Sequence, residues 1–195
     1  MSFFRNMKVK TKLLVLTIIT VIGISLVGLI GNKGIDSCSV ALKEVSVVRL
    51  PSVLGLQIVS EGQTAIEANT FSILMFENNY LAQDKFKEIL KENEKIWQRI
   101  EKGWKLYEAL PQTKEELELW KQFLKEWEIW KKDNQKIIDI VERLSLNKLE
   151  EEQKELFKKY FYEIKNFRES FFDAETTLSK IVNLNINVAE ESKIK

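Results

Sequence analysis

Apolar and polar positions alternate with a helical period along almost the whole chain, and only a few short breaks interrupt the pattern. The breaks fall at Asn78-Asn79, where a left-handed helix cap is expected, at Leu110–Thr113 and at Leu146-Asn147. They predict four helices, at residues 33–78, 81–110, 113–146 and 148–195. Because the connections are short, the helices should form an antiparallel, up-down-up-down four-helix bundle. The predicted fold class is all-α.

Two of these helices carry long seams in which steps of three and four positions alternate, as in coiled-coil-like packing. The seam of the first helix consists of Val45, Val48, Ser52, Gly55, Val59, Gly62, Ile66, Asn69, Ile73 and Phe76. The seam of the last helix consists of Phe157, Tyr160, Ile164, Phe167, Phe171, Ala174, Leu178, Ile181, Asn185 and Val188. These two helices are the longest, so their extra length should form a two-helix stem. Pro51 lies where the stem joins the bundle, and a kink or hinge is expected there.

An apolar run without a single charge, Leu13–Ile30, precedes the predicted bundle. Its eighteen residues make a helix of about 27 Å, close to the thickness of the hydrocarbon core of a bilayer. A cleaved signal peptide is the alternative, but its apolar core would be shorter and would end at a small-x-small cleavage site. Residues 31–34 contain no such site. The run therefore predicts an uncleaved transmembrane helix that continues into the bundle.

Four basic residues immediately before the apolar run, Arg5, Lys8, Lys10 and Lys12, predict the orientation of this helix. Residues 1–12 should be cytoplasmic, residues 13–31 should cross the inner membrane, and residues 32–195 should form a periplasmic domain. A chain that leaves the membrane and folds back three times should return to it, so Lys195 is expected just before a second span.

The composition argues against catalysis and against nucleic-acid binding. The chain has no histidine and a single cysteine, Cys38, so the commonest general base and metal ligand are missing. Its 30 basic and 29 acidic residues are mixed along the chain and leave no basic surface for nucleic acid. We therefore expect a protein that is not an enzyme, with no catalytic residue, no metal site and no cofactor.

Five tryptophans lie on the two middle helices, and counting through the turns sets Trp104 level with Trp120 and Trp97 level with Trp127. The same counting places Gly55 and Gly62 of the first helix opposite Trp104 and Trp97, so the glycines are expected to make room for indole rings. Packing in the core is one interpretation of this arrangement. The alternative is an aromatic box for a flat or cationic ligand, formed by Trp97, Trp104, Trp120 and Trp127.

A polar layer is predicted farther from the membrane. Asn69, Asn93, Asn134 and Tyr160, one from each helix, occupy seam positions that fall within about one turn of each other. They either satisfy each other and hold the register of the bundle, or they line a small polar ligand site. No lysine or arginine is expected nearby, so the ligand would be neutral, zwitterionic, or an anion held by amides and hydroxyls.

The basic start, the apolar span and the sequence Arg49-Leu50-Pro51-Ser52-Val53 on the first helix, followed by three more helices, resemble a known family. They are similar to the amino-terminal region of methyl-accepting chemotaxis proteins, whose sensor is a four-helix-bundle ligand-binding domain. The following positions match a tryptophan-rich subgroup: Trp97, Trp104, Tyr107, Leu110-Pro111-Gln112-Thr113, Glu116, Trp120, Phe123, Trp127 and Trp130.

The resemblance implies a homodimer that binds a small molecule or a periplasmic binding protein and passes the signal to a cytoplasmic domain by displacing one helix. The arginines with which amino-acid receptors of this family hold their ligand have no counterpart, because Ser60–Asn78 contains no arginine or lysine. The same bundle on a histidine kinase or a cyclic-dinucleotide enzyme is one alternative. Another alternative is a membrane-anchored structural bundle that has no ligand, or one that recognises a partner protein.

Overall fold

A computed structural model describes residues 8–192, so the expectations that concern Arg5 and Lys195 lie outside the described residues. The described chain forms four long helices: α1 (Val9–Phe76), α2 (Gln83–Glu108), α3 (Lys114–Leu146) and α4 (Glu150–Ser192). The helix α1 packs against α2 and α4, and α3 packs against the same two helices. This arrangement confirms the all-α, up-down-up-down bundle with long first and last helices.

Helix α1 is continuous over 68 residues but changes its winding in two places. A π-helical turn occupies Glu44–Arg49, and a 3-10 turn, Ile73–Phe76, ends the helix. Pro51, which has no backbone N–H to donate, follows the π turn within the α-helix that begins at Leu50. The irregularity expected near Pro51 is therefore a wider helical turn, a feature that often marks functional positions in helices.

The first part of α1 stands apart from the bundle. None of the residues Val9–Lys43 is buried. Of the described helices, only α1 is long and apolar enough to cross a membrane, with a mean hydropathy of 2.8 in its most apolar segment. The length and composition of this segment are compatible with a location at a membrane. We call the end of the bundle next to it the proximal end and the other the distal end.

The predicted seams form the core of the bundle. Most positions of the α1 and α4 seams are buried, and Val59, Ile66, Phe167, Ala174 and Ile181 are completely so. Helices α2 and α3 complete the core with Phe86, Ile96, Ile100, Tyr107, Trp120, Phe123, Trp127, Trp130, Ile137, Val141 and Leu144. The periodicity of the sequence thus predicted the buried faces correctly.

The turn between α2 and α3 follows its sequence signal, but the turn between α1 and α2 does not. Thr113 and Glu116 form the expected capping box, in which each side chain accepts a hydrogen bond from the backbone N–H of the other residue. The left-handed cap expected at Asn78-Asn79 is wrong, because no non-glycine residue of the described chain has a positive φ. Instead, the Asn79 side chain closes the turn by accepting a hydrogen bond from Leu81 N at 3.1 Å.

The glycines of α1 do not make room for indole rings, so this expectation is also wrong. Gly55 lies against Gly103 of α2: a Cβ added to Gly55 would be 2.8 Å from the Gly103 carbonyl oxygen. Gly62 lies against Ile100 and Ile96. Counting along the chain predicted correctly which turns of α2 lie level with the two glycines. The tryptophans of those turns, however, lie on the side of α2 that faces α3, and not on the side that faces α1. Gly55 therefore allows the backbones of α1 and α2 to approach closely, and Gly62 makes room for the Ile100 side chain.

Candidate functional site

Four polar side chains, one from each helix, meet inside the proximal end of the bundle. They are Arg49 of α1, Tyr107 of α2, Glu116 of α3 and Asn185 of α4, and none is more than 5% exposed. We call this group the junction network. Sequence analysis did not identify it as a unit, because its four residues belong to four different helices, whose rotations no local pattern determines.

The Glu116 carboxylate is the centre of the junction network. Its Oε2 accepts hydrogen bonds from Arg49 Nη1 at 2.9 Å and from Thr113 N at 3.1 Å. Its Oε1 accepts from Tyr107 Oη at 2.9 Å and from Asn185 Nδ2 at 2.8 Å. A buried ion pair is tolerated only when further hydrogen bonds satisfy both partners, and four donors serve this carboxylate. The network is therefore a polar contact that holds all four helices together.

The Arg49 guanidinium extends the network from α1 to α4. Its Nη1 also donates to Asn185 Oδ1 at 3.0 Å, and its Nε donates to Glu44 Oε1 at 2.8 Å. Glu44 and Arg49 are the first and last residues of the π turn. The wider turn thus coincides with the point where α1 contacts α4 through charged and amide groups.

Local structure explains why Glu116 is the acceptor and Tyr107 a donor in the junction network. Glu116 lies in the first turn of α3, where the partial positive charge of the helix N-terminus favours a carboxylate. Burial, and then the neighbouring Glu116 carboxylate, raise the pKa of Tyr107 well above its usual value. The Tyr107 phenol therefore stays protonated and donates to Glu116.

The predicted polar layer is only partly assembled. Asn69 Nδ2 donates to Asn93 Oδ1 at 2.8 Å, so α1 and α2 are joined at this level. Asn93 and Asn134 line one groove between α2 and α3. Tyr160 is placed differently: its hydroxyl donates to the Thr70 carbonyl oxygen of α1 at 2.6 Å, and burial raises the pKa of this tyrosine. Tyr160 thus joins α4 to α1.

The groove between α2 and α3, which we call the α2–α3 groove, has a volume of about 480 Å³. Its lining consists of Leu90, Asn93, Glu94, Trp97, Lys131, Asn134, Gln135, Ile138 and Glu142. Asn134 is only 4% exposed, and its Oδ1 has no hydrogen-bond partner among the described residues. The expectation that no cation lies near these asparagines is wrong, because Lys131 is part of the lining.

The tryptophans form a packed ladder between α2 and α3. The ring centroids of Trp104 and Trp120 lie 4.8 Å apart and those of Trp97 and Trp127 lie 5.8 Å apart, which confirms the predicted levels. Trp104 and Trp127 are also in contact, at 5.4 Å between ring centroids. Trp97 additionally lines the α2–α3 groove, so the two predicted sets of ligand-binding residues meet at this side chain. Ligand binding by either set stays a prediction.

Within residues 8–192, no group of three or more histidine, cysteine, aspartate or glutamate side chains has the arrangement that a metal ion needs. A comparison with protein families matches residues 6–195 to a family described as a four helix bundle sensory module for signal transduction. Comparisons with curated proteins and with solved structures found no similar chain.

Proposed function

The chain belongs to the family of four-helix-bundle sensory modules for signal transduction, and we propose that it is the ligand-sensing region of a transmembrane chemoreceptor. The family has a sensory role and is not a catalytic one. In this proposal residues 1–12 are cytoplasmic, residues 13–31 cross the inner membrane and residues 32–195 form the periplasmic sensor. The basic residues before the apolar run and the exposure of that run support this topology.

The junction network is the observation that carries the proposed mechanism. In a receptor of this kind, ligand binding displaces one of the two long helices by about an ångström relative to the other. Arg49 Nη1 bridges α1 to Glu116 of α3 and to Asn185 of α4 at 2.9 and 3.0 Å. Because hydrogen bonds weaken beyond about 3.2 Å, such a displacement breaks or exchanges these bonds. The network therefore resists a displacement of α4 until these bonds break.

An exposed apolar stripe on α1 supports the proposal of a homodimer. Val40, Val47, Leu50 and Leu54 are 70%, 54%, 63% and 54% exposed, although they lie at or beside the proximal end of the bundle. Their spacings of seven, three and four residues are those of a helix–helix seam. A second copy of α1 would cover this stripe, and the two copies would then move together. The signal is a small molecule or a periplasmic binding protein.

Two alternatives keep part of this proposal. The same sensor on a histidine kinase or a cyclic-dinucleotide enzyme would use the same helix displacement with another output. A structural bundle without a ligand would need no element that responds to displacement. The junction network favours a sensor, because a purely structural core is more simply stabilised by apolar residues than by a buried ion pair.

The test is a chimera in which residues 1–195 are joined to a second span and to the signalling region of a characterised chemoreceptor, with kinase activity as readout. Arg49→Lys keeps the charge but loses the fork geometry of the guanidinium, and it should shift the ligand-free kinase activity. Glu116→Gln should shift the activity in the same direction. Glu118→Gln, at an exposed ion pair on the same helix, is the control. Unchanged activity in Arg49→Lys and Glu116→Gln, with folded protein in the membrane, would contradict the proposal.

A further inference from the structure

The α2–α3 groove has the properties of a binding site whose ligand class can be inferred. We propose that it binds a small organic amine, whose ammonium group donates a hydrogen bond to Asn134 Oδ1 and lies near Glu94 and Glu142. The biological meaning of this site rests on the proposed sensory function. The binding itself does not, since it can be measured on the isolated protein.

The first argument is the unpartnered oxygen of Asn134. A buried amide oxygen without a hydrogen-bond partner destabilises the fold. A ligand that carries an N–H or O–H group and reaches this oxygen would satisfy it, and a ligand without such a group would not. Trp130 Nε1, one turn earlier on α3, is likewise buried without a partner among the described residues. Asn134 therefore selects ligands that carry an N–H or O–H group.

The second argument is charge. Glu94 and Glu142 line the groove, and neither takes part in an ion pair within the described chain. The single cationic side chain of the lining, Lys131, is already held by Glu128 at 2.6 Å. Two carboxylates without an ion-pair partner in the described chain thus line the groove, while its one ammonium group lies beside a third carboxylate, Glu128. A positively charged ligand is favoured over a neutral or anionic one.

The third argument is shape and apolar surface. Leu90, Trp97 and Ile138 supply an apolar wall beside the polar groups. An indole face attracts both a flat ring and an ammonium group. The volume of about 480 Å³ falls within the range of small-molecule sites. These features fit an amine with a compact apolar body.

The groove is also connected to α1, the helix that contains the apolar segment. Asn93 lines the groove and accepts the hydrogen bond from Asn69 of α1 at 2.8 Å. A ligand that contacts Asn93 therefore changes a bond between α2 and α1. This contact gives an amine a direct path to the helix that carries the signal.

The test is calorimetric titration of the full chain in detergent with three matched probes. Phenethylamine carries a charge and N–H donors, 2-phenylethanol carries a donor without charge, and trimethyl(2-phenylethyl)ammonium carries a charge without a donor. Because a hydrogen bond to a charged group contributes about 1.5–3 kcal/mol, phenethylamine should bind at least about tenfold more tightly than either analogue. Equal affinities for the three probes, or no binding of phenethylamine at millimolar concentration, would overturn the proposal.

Variants locate the site. Asn134→Leu should abolish phenethylamine binding, and Asn134→Asp should strengthen it by adding a carboxylate. Asn78→Leu, at an exposed position of the distal turn, is the matched control and should bind like wild type. The double variant Glu94→Gln, Glu142→Gln should bind at least about tenfold more weakly. Retained binding in folded Asn134→Leu, or weaker binding in Asn134→Asp, would place the ligand elsewhere. Such a result would leave the sensory proposal intact, since the chimera test uses the junction network and no amine.

Discussion

Arg49 and Glu116, which are 67 positions apart in the sequence, form an ion pair of 2.9 Å inside the bundle. The exposed fractions of their side chains are 6% and 0%. The pair lies between the apolar segment of α1 and the rest of the core, at the level of the π turn. A displacement of α1 or α4 at the proximal end therefore acts on a charged contact that has little access to water.

The first prediction concerns the stability of this pair. Glu116→Gln leaves the buried Arg49 charge with only Glu44 as a charged partner, and should lower the free energy of unfolding by about 3–5 kcal/mol. Denaturant unfolding followed by tryptophan fluorescence measures this change. The double variant Arg49→Met, Glu116→Met should lose less unfolding free energy than the sum of the losses in the single variants Arg49→Met and Glu116→Met. The reason is that the double variant removes both charges together. Additive losses would mean that the two side chains do not interact.

The second prediction concerns pH. The pKa of Tyr107 is raised in the folded protein, so the unfolded chain releases this proton first, near its ordinary pKa of about 10. The stability that comes from the protonated phenol is fully present below that pH and is lost as the pH rises above it. Above about pH 10 the free energy of unfolding should fall less steeply in Tyr107→Phe than in wild type, by a difference that approaches about 1.4 kcal/mol per pH unit near pH 11.5.

Urea unfolding at a series of alkaline pH values gives these slopes. Tyr160→Phe should reduce the slope in the same way, because burial raises the pKa of Tyr160 as well. Tyr162→Phe, at an exposed position of the same helix, is the control. Identical slopes in wild type and Tyr107→Phe would show that the phenol is not held as a buried donor.

The third prediction concerns the close approach of α1 and α2. A Cβ on residue 103 would lie 2.7 Å from the Gly55 carbonyl oxygen and 2.8 Å from Ile58 Cβ. Gly103→Ala should therefore destabilise the bundle by about 1–3 kcal/mol, although alanine favours helix by about 1 kcal/mol. Gly34→Ala is the matched control, since nothing lies within 4 Å of its added Cβ. If thermal unfolding finds Gly103→Ala as stable as Gly34→Ala, the two backbones are farther apart than described.

The fourth prediction concerns the dimer. Cys38 is exposed on the segment of α1 that lies next to the proposed self-contact. Oxidation of the protein in membranes should give a disulfide-linked dimer, visible on a non-reducing gel and lost in Cys38→Ser. Absence of the dimer in oxidised membranes would argue against pairing of the α1 helices at this level.

The fifth prediction concerns topology. Basic residues on the N-terminal side of the apolar run should keep that side in the cytoplasm. Alkaline phosphatase, which folds only outside the cytoplasm, should be active when fused after Lys33. A cytoplasmic reporter at the same position should be inactive. The opposite pair of results would reverse the orientation and contradict the proposed periplasmic sensor.

Sequence reasoning succeeded where a property depends on the spacing of residues along one helix. The seam that contains Phe167 and Ile181 is buried as predicted, because side chains three and four positions apart share one face. The levels of Trp104 and Trp120 were also predicted correctly, since a short turn leaves little freedom in the register of two helices. The capping box of Thr113 and Glu116 is equally local, and it too is present.

Only the tertiary structure decided which groups from different helices meet. The rotation of α2 about its own axis turns Gly103, and not an indole ring, toward Gly55. Similarly, the sequence by itself determined the bundle, the apolar span and the cap at Glu116, but it did not place Arg49 and Asn185 around that carboxylate. Such partners depend on the packing of the whole core, which sets the rotation of every helix at once, and no local pattern contains this information.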